Sequence, residues 1–224
     1  MTNISKLGYK KNGELTKELL DDGYIVEIEP ITFHSIINKN GYCYEDNVIN
    51  QIKNNTNGIF DFSKNMIDVG SHIGIYDLLL DFNYYYMFES NKEYYIISQF
   101  NMLLQHKLDK CDIFNTLISD SIENTKYQNN KILPITILDS YNLDNIGLIK
   151  ISVNGDEYKV IKGAIETIKR NNYPPILFKL LPIGENMSQE KYNQLLFFLI
   201  DELNYEIYLN WGNWQTHLAI HKNN

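Results

Sequence analysis

The stretch MIDVGSHIG, at residues 66–74, decides how this chain folds. Its apolar first half predicts a buried strand that ends near the acidic Asp68, and Gly70 and Gly74 predict a tight turn into a helix. Glycine suits such a turn because it lacks a Cβ atom and lets the backbone approach a ligand closely. His72 stands midway between the glycines. The stretch therefore indicates either a ligand-binding loop or a purely structural turn in which Asp68 caps the next helix.

Strand-like and helix-like runs alternate on both sides of this turn. The predicted strands are Asn65–Val69, Tyr84–Phe88, Ile113–Ile118, Gly147–Val153, Ile176–Leu180, Tyr205–Leu209 and Thr216–His221. Such alternation is typical of βαβ units with a parallel sheet, and the short link between the last two strands predicts an antiparallel hairpin. We therefore expect an α/β fold with a mainly parallel, seven-stranded, Rossmann-like sheet and a closing antiparallel hairpin.

The segments between these strands have their own signals. Acidic residues after Gly155 and an apolar face predict a helix that ends before Pro174, and Ser188 is expected to cap a long helix that reaches Leu203. The polar segment 118–132 is predicted to be a loop on the ligand side of the sheet.

The first sixty residues have a weaker pattern than the rest. Tyr24–Ile31 alternates like a strand, and Asp46–Lys53 has the pattern of a short helix. We expect residues 1–60 to form an N-terminal extension that packs on one domain, residues 61–224.

A second acidic residue, Glu89, ends the predicted strand that follows the glycine turn. It lies about twenty residues after Asp68, the spacing at which a carboxylate holds the hydroxyl groups of a ribose. NAD is disfavoured because the glycine spacing is not G-x-G-x-x-G and Asp68 would repel a pyrophosphate. S-adenosylmethionine (SAM) has no phosphate and is cationic, so we predict a SAM site with Asp68 at the amino-acid end. The predicted cofactor-binding residues of the two segments are Asp68, Gly70, His72, Gly74 and Glu89.

The amino-acid composition limits the classes of molecule that this protein is expected to bind. The 224 residues carry a net charge of −8, which argues against a broad nucleic-acid-binding surface. Cys43 and Cys111 have no metal-ligand spacing and are expected to be free thiols in a reducing compartment. The sequence shows neither the apolar core of a signal peptide nor a run of about 18 apolar residues. We expect a cytoplasmic protein that binds neither nucleic acid nor a membrane. No residue is assigned as a metal ligand, and whether a metal takes part stays open.

Five segments, taken in order, match one known pattern. They are MIDVGSHIG (66–74), FESN (88–91), ISD (118–120), TILDS (136–140) and KISVNGDEYKVIKGA (150–164). Together they resemble the FkbM family of methyltransferases, from about Tyr44 to His221. The resemblance implies a class I methyltransferase fold, with Asp120 near the adenine of SAM. It also implies O-methylation of a hydroxyl on a small-molecule or glycan acceptor.

Several strand-end positions depart from the family's pattern. Ser152 and Asn154 replace acidic residues after the fourth strand, and Lys179 stands where the fifth strand usually ends in Glu. Lys150 and Glu157 are kept. The resemblance therefore implies Lys150, Ser152, Asn154 and Glu157 as candidate catalytic residues, although Ser152 and Asn154 cannot act as carboxylate bases. Lys150 and Glu157 have an equally good structural interpretation, as a strand-end cation and a helix N-terminal charge.

Two functions stay open from the sequence. The first is a SAM-dependent O-methyltransferase that acts on a small, carbohydrate-type acceptor. The second is a catalytically silent methyltransferase-like protein that binds SAM or a partner without turnover. Methylation of an RNA 2′-hydroxyl is disfavoured because the chain has no basic stripe.

Overall fold

The structure is a computed structural model that describes residues 45–55, 57–128, 131–180, 184, 187–213 and 215–223. The strands are β1 (Asn65–Val69), β2 (Tyr85–Phe88), β3 (Cys111–Phe114), β4 (Leu117–Ile118), β5 (Glu123–Gln128), β6 (Lys131–Thr136), β7 (Ile146–Ile151), β8 (Ile176–Lys179), β9 (Tyr205–Tyr208) and β10 (Thr216–His221). The α-helices are α1 (Asp46–Asn54), α2 (Ile75–Leu79), α3 (Lys92–Leu104), α4 (Glu157–Lys162), α5 (Ile165–Arg170) and α6 (Gln189–Phe197). The predicted helix near Asp46 is thus confirmed, whereas the predicted strand Tyr24–Ile31 lies outside the described residues.

Seven strands form one sheet in the order β3-β2-β1-β7-β8-β10-β9. All neighbours pair in parallel except β10, which is antiparallel to both β8 and β9. The predicted α/β fold with its closing hairpin is confirmed. Strand β1 has the bounds that its apolar run predicts, and it lies between β2 and β7 with all five residues buried. A strand covered on both faces reads as a continuous apolar run, which explains the clear signal.

Segment 115–136 differs from the prediction. The expected strand Ile113–Ile118 is broken after Phe114, and β4 leaves the main sheet to pair with β6. The expected loop 118–132 contains β5, which pairs with β6 in a separate three-stranded sheet. The sequence does not predict this hairpin because β5 (ENTKYQ) has no apolar alternation, and backbone hydrogen bonds between antiparallel strands need none. Strand β6 does carry apolar residues, and its Leu133 and Ile135 are buried.

Two predicted helices are also modified. The helix expected after Gly155 is divided into α4 and α5 at Gly163, where a Cβ atom would lie 2.0 Å from the carbonyl oxygen of Ser119. Ser188 caps α6 as expected, since its hydroxyl accepts a hydrogen bond from the backbone N–H of Lys191 (3.1 Å). The last turn of that helix, Phe198–Glu202, is a π-helix.

The core has two apolar layers, one on each face of the sheet. Because side chains alternate along a strand, Ile67 and Val69 of β1 face one layer while Met66 and Asp68 face the other. The second layer also contains Val48, Ile49 and Ile52 of α1 and the following Phe60. The described part of the predicted N-terminal extension therefore contributes directly to the core.

The sequence predicts free cysteine thiols and no membrane-spanning helix. Cys111 is a buried free thiol, and Cys43 lies outside the described residues. No helix within the described ranges is long and apolar enough to cross a membrane.

Candidate functional site

A pocket of about 560 Å³ opens at the carboxyl ends of β1, β2, β7 and β8. Neighbouring strands lie about 4.8 Å apart, so the distance across the sheet from the end of β2 to the end of β8 is roughly 14 Å. Ligands of open α/β sheets bind at this edge. The predicted residues that line the pocket are Gly70, His72, Glu89, Lys150, Ser152 and Asn154. Other lining residues include Glu45, Ser71, Tyr76, Asn91, Tyr94, Thr116, Ile118, Lys179 and Thr216.

The glycine turn forms the middle of the pocket floor. Gly70 has φ +77°, and a Cβ atom there would lie 2.0 Å from the carbonyl oxygen of Ser152. Only glycine lets these two strand ends meet so closely. His72 has φ +54°, which also lies in the left-handed region that favours glycine. Its ring packs against Tyr94, with 4.0 Å between ring centroids.

Glu89, at the end of β2, stabilises this turn by hydrogen bonds. Its Oε2 accepts a hydrogen bond from the backbone N–H of His72 (2.8 Å), and its Oε1 accepts one from that of Asn91 (2.7 Å). Glu89 is 7% exposed, and burial raises the pKa of its carboxyl group while the two N–H groups oppose that shift. The carboxylate is thus held in one orientation at the pocket wall.

Asp68 takes a different place from the one predicted. It is fully buried and absent from the lining, because the register pairs it with Lys150 on the neighbouring strand. Its Oδ1 accepts a hydrogen bond from Lys150 Nζ (2.8 Å), which also donates to the carbonyl oxygen of Gly70 (2.8 Å). Asp68 therefore does not line the pocket, and its predicted contact with the amino-acid end of SAM stays a prediction. It contacts the pocket only through Lys150, which in turn lies over the ring of Tyr76.

Three further predicted residues lie outside the lining. Gly74 precedes α2 behind the pocket, with φ +83°. Asp120 pairs with Lys162 (3.3 Å), because the chain turns away at β4. Glu157 is buried and accepts hydrogen bonds from the backbone N–H groups of Val153 and Gly155, and burial raises its pKa. These hydrogen bonds fix the loop that carries Asn154, and the assignment of Glu157 as a catalytic residue stays a prediction.

The β8 end of the pocket contains a carboxylate that sequence reasoning missed. Glu45, just before α1, forms an ion pair with Lys179 at the end of β8 (3.1 Å). Its Oε2 accepts hydrogen bonds from the hydroxyl of Tyr76 (2.8 Å) and from Nδ2 of Asn213 (3.3 Å). Glu45 and Lys179 are 134 residues apart, so no local motif could join them.

Two hydroxyl groups near the pocket suit a polar organic ligand. Ser71 and Thr216 are among the lining residues, and their hydroxyl oxygens are buried with no hydrogen-bond partner within the described ranges. Buried hydroxyl groups without a partner are costly, and a polar ligand would supply one. No three His, Cys, Asp or Glu side chains among the described residues are grouped so that they could hold a metal ion.

Comparison with solved structures identifies the fold. Methyltransferase FkbM from Methylobacillus flagellatus KT has a TM-score of 0.58 and 18% identity, over 71% of this chain and 44% of that chain. The O-methyltransferase from Bacillus cereus in complex with SAH has a TM-score of 0.53 and 9% identity, over 83% of this chain and 84% of that chain. Precorrin 8w decarboxylase from Methanobacterium thermoautotrophicum has a TM-score of 0.50 and 11% identity, over 75% of each chain. This chain thus spans less than half the length of the FkbM protein.

These likenesses show that the chain has the class I methyltransferase fold. No protein-family model and no curated protein matches the sequence. The precorrin 8w decarboxylase shares the fold, so the architecture alone does not define the reaction.

Proposed function

We propose that this protein binds SAM and transfers its methyl group to a hydroxyl of a small, carbohydrate-type acceptor, as an FkbM-like O-methyltransferase. The observation that carries the proposal is one continuous pocket that joins the Gly70 turn and Glu89 to a separate polar end at Glu45 and Lys179. Such a pocket has room for a nucleoside cofactor at one end and for a second substrate at the other.

The residues on the β2 side fit SAM. Glu89 offers a charged acceptor for the ribose hydroxyl groups, Thr116 and Ile118 line the adjacent wall, and Gly70 lets the backbone approach the ligand. When bound, SAM supplies a methyl group on a cationic sulfur. Burial, followed by the charge of Lys150, lowers the pKa of His72, so this ring adds no positive charge beside that cation at neutral pH.

The residues on the β8 side suit an acceptor hydroxyl. A carboxylate has about four acceptor positions, and Lys179, Tyr76 and Asn213 occupy three of them on Glu45. Among the described residues nothing occupies the remaining position, on Oε1, which can accept the hydrogen of an acceptor hydroxyl and take up its proton. Glu45 thereby supplies the carboxylate that Ser152, Asn154 and Lys179 do not.

Replacement of the carboxylate proposed to bind the ribose should weaken the binding of SAM. We expect Glu89→Gln to raise the Kd for SAM, and for its demethylated product SAH, roughly 10- to 100-fold, since hydrogen bonds to a charged group are lost. Isothermal titration measures this change. Glu93→Gln, an exposed glutamate in the first turn of α3, is the matched control and should leave Kd unchanged. No binding of SAM to the wild type at millimolar concentration would refute the proposed function.

Glu45→Gln should lower the catalytic efficiency with the acceptor and not the affinity for SAM. SAM-dependent formation of SAH is first screened against monosaccharides and other small hydroxyl compounds. With an acceptor found, we expect Glu45→Gln to lower kcat/KM for that acceptor roughly 10- to 100-fold and to leave the Kd for SAM unchanged. Glu206→Gln, on the exposed side of β9, is the control. Equal loss of SAM affinity would contradict a role confined to the acceptor.

A second candidate function is SAM or partner binding without turnover. It is favoured by the loss of the family's acidic residues at Ser152, Asn154 and Lys179, and by the ion pair that already engages Glu45. The acceptor screen separates the two functions when it includes the double variant Ser152→Asp with Asn154→Glu. Turnover that appears only in the double variant would favour the silent protein.

A further inference from the structure

Two carboxyl groups lie together behind the glycine turn, outside the pocket. Asp68 of β1 and Asp77 of α2 are both completely buried. Asp68 Oδ2 and both carboxyl oxygens of Asp77 have no hydrogen-bond donor within the described ranges if both groups are ionised. Two neighbouring negative charges in an apolar layer, of which only Asp68 has a cation as partner among the described residues, would be very costly, so one of the groups must hold a proton.

The contacts show which group keeps its charge. Lys150 Nζ donates to Asp68 Oδ1 at 2.8 Å and so stabilises the negative charge on Asp68. Lys107, a second cation that interacts with Asp77, donates its Nζ hydrogens to the backbone carbonyls of Asp77, Leu78 and Leu80 at the end of α2. Burial, and next the neighbouring Asp68 carboxylate, raise the pKa of Asp77 well above its ordinary value.

The other titratable groups around Asp77 are neutral or already paired. The hydroxyl of Tyr85, from β2, donates to the carbonyl oxygen of Leu80. The thiol of Cys111, from β3, donates to the carbonyl oxygen of Leu108, and burial raises its pKa to about 12. Neither group supplies a donor to Asp77, so its carboxyl group has Asp68 as its partner.

We propose that Asp77 is a positioning residue that remains protonated in the folded protein and donates its O–H to Asp68 Oδ2. The resulting chain runs from Asp77 to Asp68, from Asp68 to Lys150, and from Lys150 to the carbonyl oxygen of Gly70. It fixes Asp68, and through it the cation that holds the glycine turn. The position of the proton is independent of the proposed function, whereas its effect on SAM rests on that function.

Infrared spectroscopy tests the position of the proton directly. A buried protonated carboxyl group gives a C=O band that is separate from carboxylate bands. We expect such a band in the wild-type protein at about pH 7, well above the ordinary pKa of aspartate, and its loss in Asp77→Asn. A wild-type spectrum without the band, or a band that persists in the variant, would overturn the proposal.

Unfolding at several pH values supplies the second test. A carboxyl group whose pKa is raised on folding contributes stability below its unfolded pKa, and this contribution is lost as pH rises towards the folded pKa. We therefore expect the ratio of the folding constants, Asp77→Asn over wild type, to rise about tenfold per pH unit from about pH 5 upwards. A ratio that does not change with pH would show that Asp77 is ionised in the folded protein.

Two variants of Asp77 distinguish a role in positioning Asp68 from a role in packing alone. The amide that Asp77→Asn introduces can still donate to Asp68, whereas the side chain that Asp77→Leu introduces cannot. We expect Asp77→Asn to bind SAM like the wild type and Asp77→Leu to bind it roughly tenfold more weakly, since a hydrogen bond to a charged group is lost. Equal SAM affinity of the two folded variants would overturn the positioning role. If the wild type bound no SAM, the proposed function would fail, while the infrared band and the pH ratio would still decide where the proton lies.

Discussion

Gly70→Ala is expected to abolish SAM binding and to lower the free energy of unfolding by about 2–6 kcal/mol. The alanine must keep φ near +77° while its Cβ atom would lie 2.0 Å from the carbonyl oxygen of Ser152 and 2.9 Å from the carbonyl carbon. Both neighbours are backbone atoms, which cannot rotate away as a side chain would. The ends of β1 and β7 must therefore separate, and the pocket floor separates with them. Urea unfolding and titration with SAM measure the two effects.

The chain offers a control that isolates the clash from the backbone strain. Gly58 has a similar φ of +64°, and a Cβ atom there meets no atom within 4 Å. Gly58→Ala should cost only the strain of the left-handed conformation, about 1–2 kcal/mol, and should leave SAM affinity unchanged. If the two variants lost equal stability, the close approach at Gly70 would not be the cause.

Lys150→Met should lower the free energy of unfolding by about 3–5 kcal/mol, the usual cost of removing one partner from a buried ion pair. Methionine preserves most of the apolar stem but leaves Asp68 buried without its cation and frees the carbonyl oxygen of Gly70. SAM affinity should fall as well, because the glycine turn loses its anchor. Urea unfolding near neutral pH and isothermal titration measure these changes.

Two further variants distinguish the lost pair from general damage. Lys169 pairs with Glu166 on an exposed face of α5, where both side chains are about half exposed or more, so Lys169→Met should change stability by no more than about 0.5 kcal/mol. Adding Asp68→Asn to Lys150→Met should restore much of the stability, since the uncompensated charge is then removed. An unchanged loss in the double variant would contradict the electrostatic explanation.

The parts of the fold that the sequence predicts are those with strong local patterns. Strand β1 and the closing strand β10 have the predicted bounds, because buried strands concentrate apolar residues. The sequence does not predict the hairpin of β5 and β6, since β5 is polar and pairs with β6 through backbone hydrogen bonds. The break between α4 and α5 depends on a tertiary contact, the approach of Ser119 to Gly163.

In the candidate site, too, residues in short local motifs are predicted from the sequence, whereas residues joined only by the fold are not. Gly70, His72 and Glu89 belong to short motifs whose spacing predicts their place in the pocket. Glu45 and Asp77 could not be found, because each acts through a residue that only the fold brings near. The contact between Asp68 and Lys150 is not predicted either, since this register partner is known only once the strands are paired.

The β8 end of the pocket is assembled from two segments far apart in the chain. Helix α1 packs against the turn before β10: a Cβ atom on Gly212 would lie 2.9 Å from Val48, the rings of Phe60 and Trp211 lie 5.9 Å apart, and Asn213 reaches Glu45. The glycine turn and the end of β2 belong to neither segment. Under the proposed function, mutation in α1 or in that turn can therefore alter acceptor choice while cofactor affinity stays constant, so the two properties are free to evolve separately.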